Sequence, residues 1–305
     1  MKIRMNCLTR FIFLVTIICM IASVCANTVL AQSRTGCRRE ALKDQTAQFL
    51  SALEAKKPAN LPLSPDVKYT ENGKEITVGE GFWKTAGKML LKRTVIDADR
   101  CGTHTQAVLE ENGKQVIYGV RLGFDKSNKK NIAEIESFVA REGDFLFNPK
   151  GVLETRNQDW EGVIPREERS SRLGMVAAAD DYFELFRKNP DVHVDFAKDC
   201  NRWENGTLTT GRRKDGASLS DEPGRQCSPV GLQTLTHKPR RFLVDREAGV
   251  VVAYLLFSSA LPDFHMFRMR NGKIELMQVV VTSGSPTMGW PDEPLDAANS
   301  IRETP

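Results

Sequence analysis

Two stretches of this 305-residue chain carry apolar residues at helical spacing, and each is followed by a block of strand-like sequence. From Arg39 to Lys57 the stripe is Leu42, Phe49, Leu50 and Leu53, and Pro58 marks its end. From Ser171 to Lys188 it is Leu173, Val176, Ala177, Phe183 and Phe186. Ser170 or Ser171 is placed to cap this second helix, and Asn189-Pro190 stops it. A third apolar run, Phe11 to Ala26, follows the basic residues Lys2, Arg4 and Arg10. It is shorter than the roughly 20 residues a bilayer core requires. With small residues third and first before a cut after Ala31, residues 1–31 read as a cleavable signal peptide. A mature chain exported to the periplasm or outside the cell is therefore expected.

The strand blocks repeat internally. Tyr69-Thr70-Glu71-Asn72-Gly73 matches Arg202-Trp203-Glu204-Asn205-Gly206, and Arg93 to Asp97 matches Arg241 to Asp245. Phe138 to Gly143 is aligned with Phe267 to Gly272. The second copy carries an extra polar loop, Gly211 to Gln226. The order is helix, irregular segment, short strand and then several long strands, twice, which predicts an α+β architecture and not alternating βαβ units. The joint falls near Asn157 to Arg169. The reading gives a first domain over 37–157, a second over 158–290, and a flexible tail over 291–305.

Cysteine and charge refine this picture. Four cysteines survive signal removal: Cys37, Cys101, Cys200 and Cys227. An even number in an exported chain suggests disulfides with three possible pairings. Cys37 with Cys101 and Cys200 with Cys227 keep each bridge within one half. The second bridge would close the polar loop, worth roughly 3 kcal/mol. The net charge is +4, and losing the three basic residues of the signal leaves about +1, which argues against a nucleic-acid binder. Lys129-Lys130 and Arg212-Arg213-Lys214 read as solvated loops. No Cys-x-x-Cys, histidine pair at ligand spacing, Gly-x-Ser-x-Gly or phosphate-cradling glycine loop occurs, so no metal or cofactor is expected.

The chain resembles DUF8021, a family of secreted, mostly fungal proteins built from tandem NTF2-like (SnoaL-like) domains. The resemblance rests on Cys37-Arg38-Arg39, Tyr69 to Asn72, Asp144 to Asn148, Asp159-Trp160 with Ile164-Pro165, and Arg169 to Arg172. It continues through Asp181-Tyr182 to Phe186, Cys200-Asn201-Arg202, Cys227 and Leu261 to Arg268. It implies two cone-shaped domains, each a curved, mainly antiparallel sheet wrapped around helices. It implies no activity, because such folds serve as isomerases, dehydratases, cyclases and binding modules alike.

Candidate chemistry centres on Asp263 and His265. At i and i+2 on a strand they share a face, so a carboxylate and an imidazole would meet in one pocket and act as an acid/base pair. The resemblance adds a basic residue, Arg268. The repeat places Glu134 and Glu136 at the aligned positions of the first half, where two carboxylates can divide acid and base roles. Tyr69 is a candidate for stabilising an enolate oxygen, and Arg202 for holding a carboxylate, with Glu71 and Glu204 beside them. Asn72-Gly73 and Asn205-Gly206 read as turns, and Asn205-Gly206-Thr207 is a glycosylation sequon in a eukaryotic host. His104, His193 and His237 stand apart from these.

Two functions fit. One is a cofactor-independent lyase, isomerase or dehydratase acting on a small apolar organic molecule. The other is a non-catalytic exported protein that binds a small molecule or another surface, with a homo-oligomer compatible with both. Neither reading involves nucleic acid, or the membrane once the signal is removed.

Overall fold

The computed structural model describes residues 37–125, 127–187, 191–210, 227–229 and 236–288. The expected signal peptide, the polar loop 211–226 and the tail 291–305 lie outside the described residues. Residues 38–288 contain two sheets, each with its own helix, and the class is α+β.

Helix α1 (Arg39–Glu54) buries Leu42, Phe49, Leu50 and Leu53, the stripe expected from the sequence. After it come β1 (Leu63–Glu71), the two-residue β2 (Lys74–Glu75), a one-turn α2 (Phe82–Thr85), and a meander of β3 (Ala86–Asp97), β4 (Gly102–Glu111), β5 (Lys114–Phe124) and β6 (Ile132–Ala140). The short α3 (Pro149–Glu154) leads to α4 (Arg172–Glu184), then β7 (Phe196–Glu204), β8 (Thr207–Thr210), β9 (Arg240–Asp245), β10 (Val250–Phe257), β11 (Leu261–Arg270) and β12 (Lys273–Val281). The sheets run β2-β1-β6-β5-β4-β3 and β8-β7-β12-β11-β10-β9. In both, the first long strand pairs parallel with the last and the other pairings are antiparallel.

The Asn-Gly turns of the repeat occupy the same place in both sheets. Asn72 and Asn205 have φ of +48° and +44°, a left-handed conformation that asparagine tolerates. Asn72 exchanges side-chain hydrogen bonds with the backbone of Val139, and Asn205 does the same with Val281. Each amide also reaches across: Asn72 donates to Ser283 O and Asn205 to Phe145 O. The Asn205 nitrogen that a glycan would use thus makes two hydrogen bonds in a fully buried side chain.

Each sheet packs one face on its own helix and the other face against the second sheet. The second helix-facing core gathers Met175, Ala179, Tyr182, Phe183, Val251, Leu255 and Phe267. The sheet-to-sheet core gathers Val95, Val108, Phe138, Leu243, Tyr254, Phe264 and Val280. Gly119 is glycine because of this packing: a Cβ there would lie 2.1 Å from the Phe264 ring.

Reciprocal ion pairs close the ends. Asp97 at the end of β3 accepts two 2.8 Å hydrogen bonds from Arg172 at the start of α4, and one from Val244 N. Asp245 at the end of β9 accepts bonds of 2.7 and 2.9 Å from Arg39 at the start of α1, and one from Ile96 N.

Two expectations require correction. Leu173 and Ala177 face outward, with Leu173 49 % exposed. The inward stripe is Arg172, Met175, Val176, Ala179, Tyr182 and Phe183, because the buried Arg172–Asp97 pair fixes which face turns in. The aligned hairpins are also offset by one strand. Phe138 lies on β6 whereas Phe267 lies on β11, and the strand order equates β6 with β12.

Cys200 and Cys227 form a disulfide, and Cys37 and Cys101 are both disulfide-bonded as well. Disulfides persist in oxidising compartments. Among the described residues, no helix is long and apolar enough to cross a membrane.

Candidate functional site

Alternation along β11 sends Asp263, His265 and Phe267 to the helix-facing side, and Phe264, Met266 and Arg268 toward the other sheet. On β7 the same logic places Arg202 and Glu204 beside that helix-facing core. The register then sets positions across the sheet. Val279 on β12 pairs with His265 on one side and with Glu204 on the other, and Ala253 pairs with His265 from β10.

Asp263 Oδ1 lies 2.8 Å from His265 Nδ1, so the expected pair is formed. Asp263 is fully buried and His265 is 2 % exposed. Burial raises the Asp263 carboxyl well above the ordinary carboxylate range, and the negative charge of Glu204 adds to this. Burial also lowers His265 to about 3, with Glu204 opposing the effect and Arg202 reinforcing it. Both shifts favour uncharged forms. In the uncharged form of the pair with the proton on Asp263, the carboxyl donates to Nδ1 and the imidazole hydrogen is on Nε2. Asp263 Oδ2 is buried with no hydrogen-bond partner among the described residues, the sort of exception that marks a functional or strained position.

Arg202 is engaged at every nitrogen. Nε donates to Thr209 Oγ1 at 3.1 Å, Nη1 to Tyr182 Oη at 2.8 Å, and Nη2 lies 2.9 Å from Glu204 Oε1. Its expected role as a binder of substrate carboxylate therefore gives way to holding Glu204 and Tyr182 in place. Burial pushes the Tyr182 hydroxyl up to about 12 against the pull of Arg202. Because that oxygen accepts from Arg202, its own hydrogen is left for another acceptor. Rings of Phe183 and Tyr182 lie 4.9 and 5.9 Å from the imidazole.

The remaining candidates lie elsewhere. Tyr69 and Glu71 share the helix-facing side of the first sheet, 3.4 Å apart, with Ser137 beside Tyr69 and the Phe82 amide donating to Glu71 at 2.7 Å. Register equates Asp263 and His265 with Tyr118 and Val120 there, not with Glu134 and Glu136. Glu136 instead points between the sheets, buried between Arg121 at 2.8 Å and Arg241, while Glu134 meets Arg121 at 2.7 Å. Glu136 ties the two sheets together through Arg241, Glu134 pairs within the first sheet, and both are separate from the helix-facing side. Arg268 is on the sheet-facing side of β11, donating to the carbonyls of Gly162 and Ala248 and meeting Asp159. Sequence reasoning missed Tyr182 as a polar partner. The spacing of Met175, Ala179 and Tyr182 could have found it.

Tyr182, Arg202, Glu204, Asp263, His265 and Arg268 fall inside a stretch that matches a family profile, whereas Tyr69, Glu71, Glu134 and Glu136 lie outside it. Residues 168–281 match the profile of DUF8021, a domain of unknown function. That segment holds α4 and the whole second sheet. No curated protein matches the chain by sequence. One similar solved structure is a protein of unknown function with a cystatin-like fold from Methylobium petroleophilum PM1. It is 13 % identical over 36 % of this chain and 84 % of its own, with a TM-score of 0.31.

Proposed function

We propose that the protein is an exported, tandem NTF2-like acid/base catalyst, a cofactor-independent lyase, isomerase or dehydratase acting on a small apolar organic molecule through Asp263 and His265. The observation that carries this reading is the buried Asp263–His265 pair on the helix-facing side of the second sheet. Proton transfer by a positioned imidazole contributes about 10²–10⁴-fold to rate. In the neutral pair, Nε2–H gives its proton outward while Asp263 resupplies Nδ1, so the pair acts as an acid and then, reversed, as a base. The disulfide at Cys200 and Cys227 and the sequence of residues 1–31 support export, and the shared strand order of the two sheets supports the tandem reading.

The test is hydrogen exchange at the α-carbon of acetophenone in deuterium oxide, followed by proton NMR. Wild type should accelerate exchange, and His265→Gln should lose it while circular dichroism shows the variant still folded at the assay temperature. Full exchange in the variant removes His265 from the chemistry.

A second reading, an exported binding protein without catalysis, draws on the close aromatic packing around the pair. It fits a wild type that binds apolar ligands and never exchanges their protons.

A further inference from the structure

The ends of β3 and β9 meet the link into α4 at a groove of about 590 Å³. That volume is within the range of about 300–1,000 Å³ that holds small organic ligands. Ile96, Ala98 and Val244 supply its apolar wall, and the rest of its lining is polar or charged. Asp263, His265, Arg202 and Glu204 take no part in it.

Four arginines line the groove, and they differ in what they already hold. Arg39 is committed, with both Nη groups bonded to Asp245 and Nε facing Glu247 at 3.5 Å. Arg169 donates only Nε, to the Ile164 carbonyl at 2.9 Å. Arg166 and Arg246 are exposed, and among the described residues neither guanidinium has a hydrogen-bond or ion-pair partner. A 3-10 turn over Arg166–Glu168 sets residues three apart on one side, so Arg166 and Arg169 stand together. Arg246 reaches the same groove from the turn after β9. Planar forks of this kind match the oxygens of a carboxylate or a phosphate. Arg39 and Asp245 cancel, so three guanidinium groups face Asp99 and Glu247 with one positive charge in excess. The Asp99 side chain accepts no hydrogen bond among the described residues. A carboxylate only accepts, so its natural partner in a ligand is a hydroxyl. Ser171 Oγ accepts from Gly174 N at 3.1 Å, which leaves its own hydrogen to donate.

We propose that this groove binds a small hydroxylated anion of the acidic-sugar class. The carboxylate or phosphate of the ligand lies against Arg166, Arg169 and Arg246. Its hydroxyls bond to Asp99, Ser170 and Ser171, and the C–H face of its ring packs on Ile96, Ala98 and Val244. A neutral sugar forgoes the charge-assisted bonds, and a bare anion forgoes the hydroxyl bonds and the apolar contact. Arg39 is a positioning residue that keeps Asp245 out of the competition for the other three arginines.

Isothermal titration calorimetry of the purified protein with glucuronate, glucose-6-phosphate, glucose and inorganic phosphate tests this. At least one of the two acidic sugars should bind about tenfold or more tightly than glucose, which lacks the charge, and than inorganic phosphate, which lacks the ring. The pair of acidic sugars tells whether the anionic group is a carboxylate or a phosphate. Arg166→Gln and Arg246→Gln should each weaken that binding by about tenfold or more. Arg169→Lys should weaken it too, because an ammonium cannot reproduce the fork. Asp99→Ala should weaken the acidic sugar and leave inorganic phosphate no weaker. Arg166→Gln and Arg246→Gln remove no hydrogen bond of the fold, so their circular-dichroism melting should coincide with wild type. Glucose or inorganic phosphate binding as tightly as both acidic sugars would overturn the proposal. So would binding that none of these variants alters, or no binding of either acidic sugar.

Discussion

Arg172→Met is expected to lower the free energy of unfolding by about 3–5 kcal/mol, the usual cost of leaving one member of a buried ion pair without the other. Asp97 is 1 % exposed and Arg172 3 % exposed, with two parallel 2.8 Å bonds between them. Burial alone already pushes the Asp97 carboxyl above its ordinary range, and Arg172 is the largest influence holding it down. Removing the guanidinium strands a carboxylate that still accepts from the amides of Val244 and Arg100. Urea denaturation at neutral pH reads the loss. The difference from wild type should narrow in acid, where the stranded Asp97 takes up a proton and sheds its charge. Pairing the change with Asp97→Asn should recover part of it. Arg39→Met should cost less, because the Arg39 side chain is 20 % exposed against 4 % for Arg172, so solvent already screens that pair. Equal losses at the two sites would contradict this account.

Stability should also fall as pH drops from about 6.5 toward about 3, and His104 should account for a distinct share. His104 is fully buried, its ring 4.4 Å from that of Phe264, and neither ring nitrogen has a hydrogen-bond partner among the described residues. Burial lowers it to about 3, and the positive charge of Arg121 works in the same direction. The sign follows from proton counting. Between the two values the unfolded chain binds a proton that the folded chain does not, so acid favours unfolding. The full effect is on the order of 5 kcal/mol. His265 is lowered as well, but its partner Asp263 is raised and contributes with the opposite sign. Glu111, lowered by its bond to Arg141, loses its contribution only below about 4.5. Asp97 and Asp181, whose carboxyls burial raises, contribute with the opposite sign in the same range, so the share of His104 is read as the difference between wild type and a His104 variant. His104→Phe, which keeps an aromatic ring against Phe264, should flatten the unfolding midpoint across that range. An unchanged slope would mean that His104 is not the titrating group.

The sequence made the architecture legible where local rules apply. The stripe of α1 follows from four apolar residues at helical spacing, and the Asn-Gly turns from the backbone conformation that asparagine and glycine accept. The face shared by Asp263 and His265 follows from strand alternation alone. What escaped depends on contacts distant in the chain. The inward face of α4 is set by Arg172 reaching Asp97, so an apolar pattern alone favoured Leu173 and Ala177. The hairpins were misaligned because similar turn residues recur at several hairpins, and only the pairing of β6 with β1 reveals which strand corresponds to which. Glu134 and Glu136 were consequently assigned a pocket when they face the second sheet. No local signal marks Arg202 as saturated, since its partners Tyr182 and Thr209 come from a different helix and strand.

Nitrogen-15 NMR of the His265 imidazole addresses the catalytic pair most directly. A neutral ring carrying its hydrogen on Nε2, untitrated down to about pH 4, agrees with the shared-proton pair described above. An imidazolium at neutral pH, or a ring carrying its hydrogen on Nδ1, would contradict it.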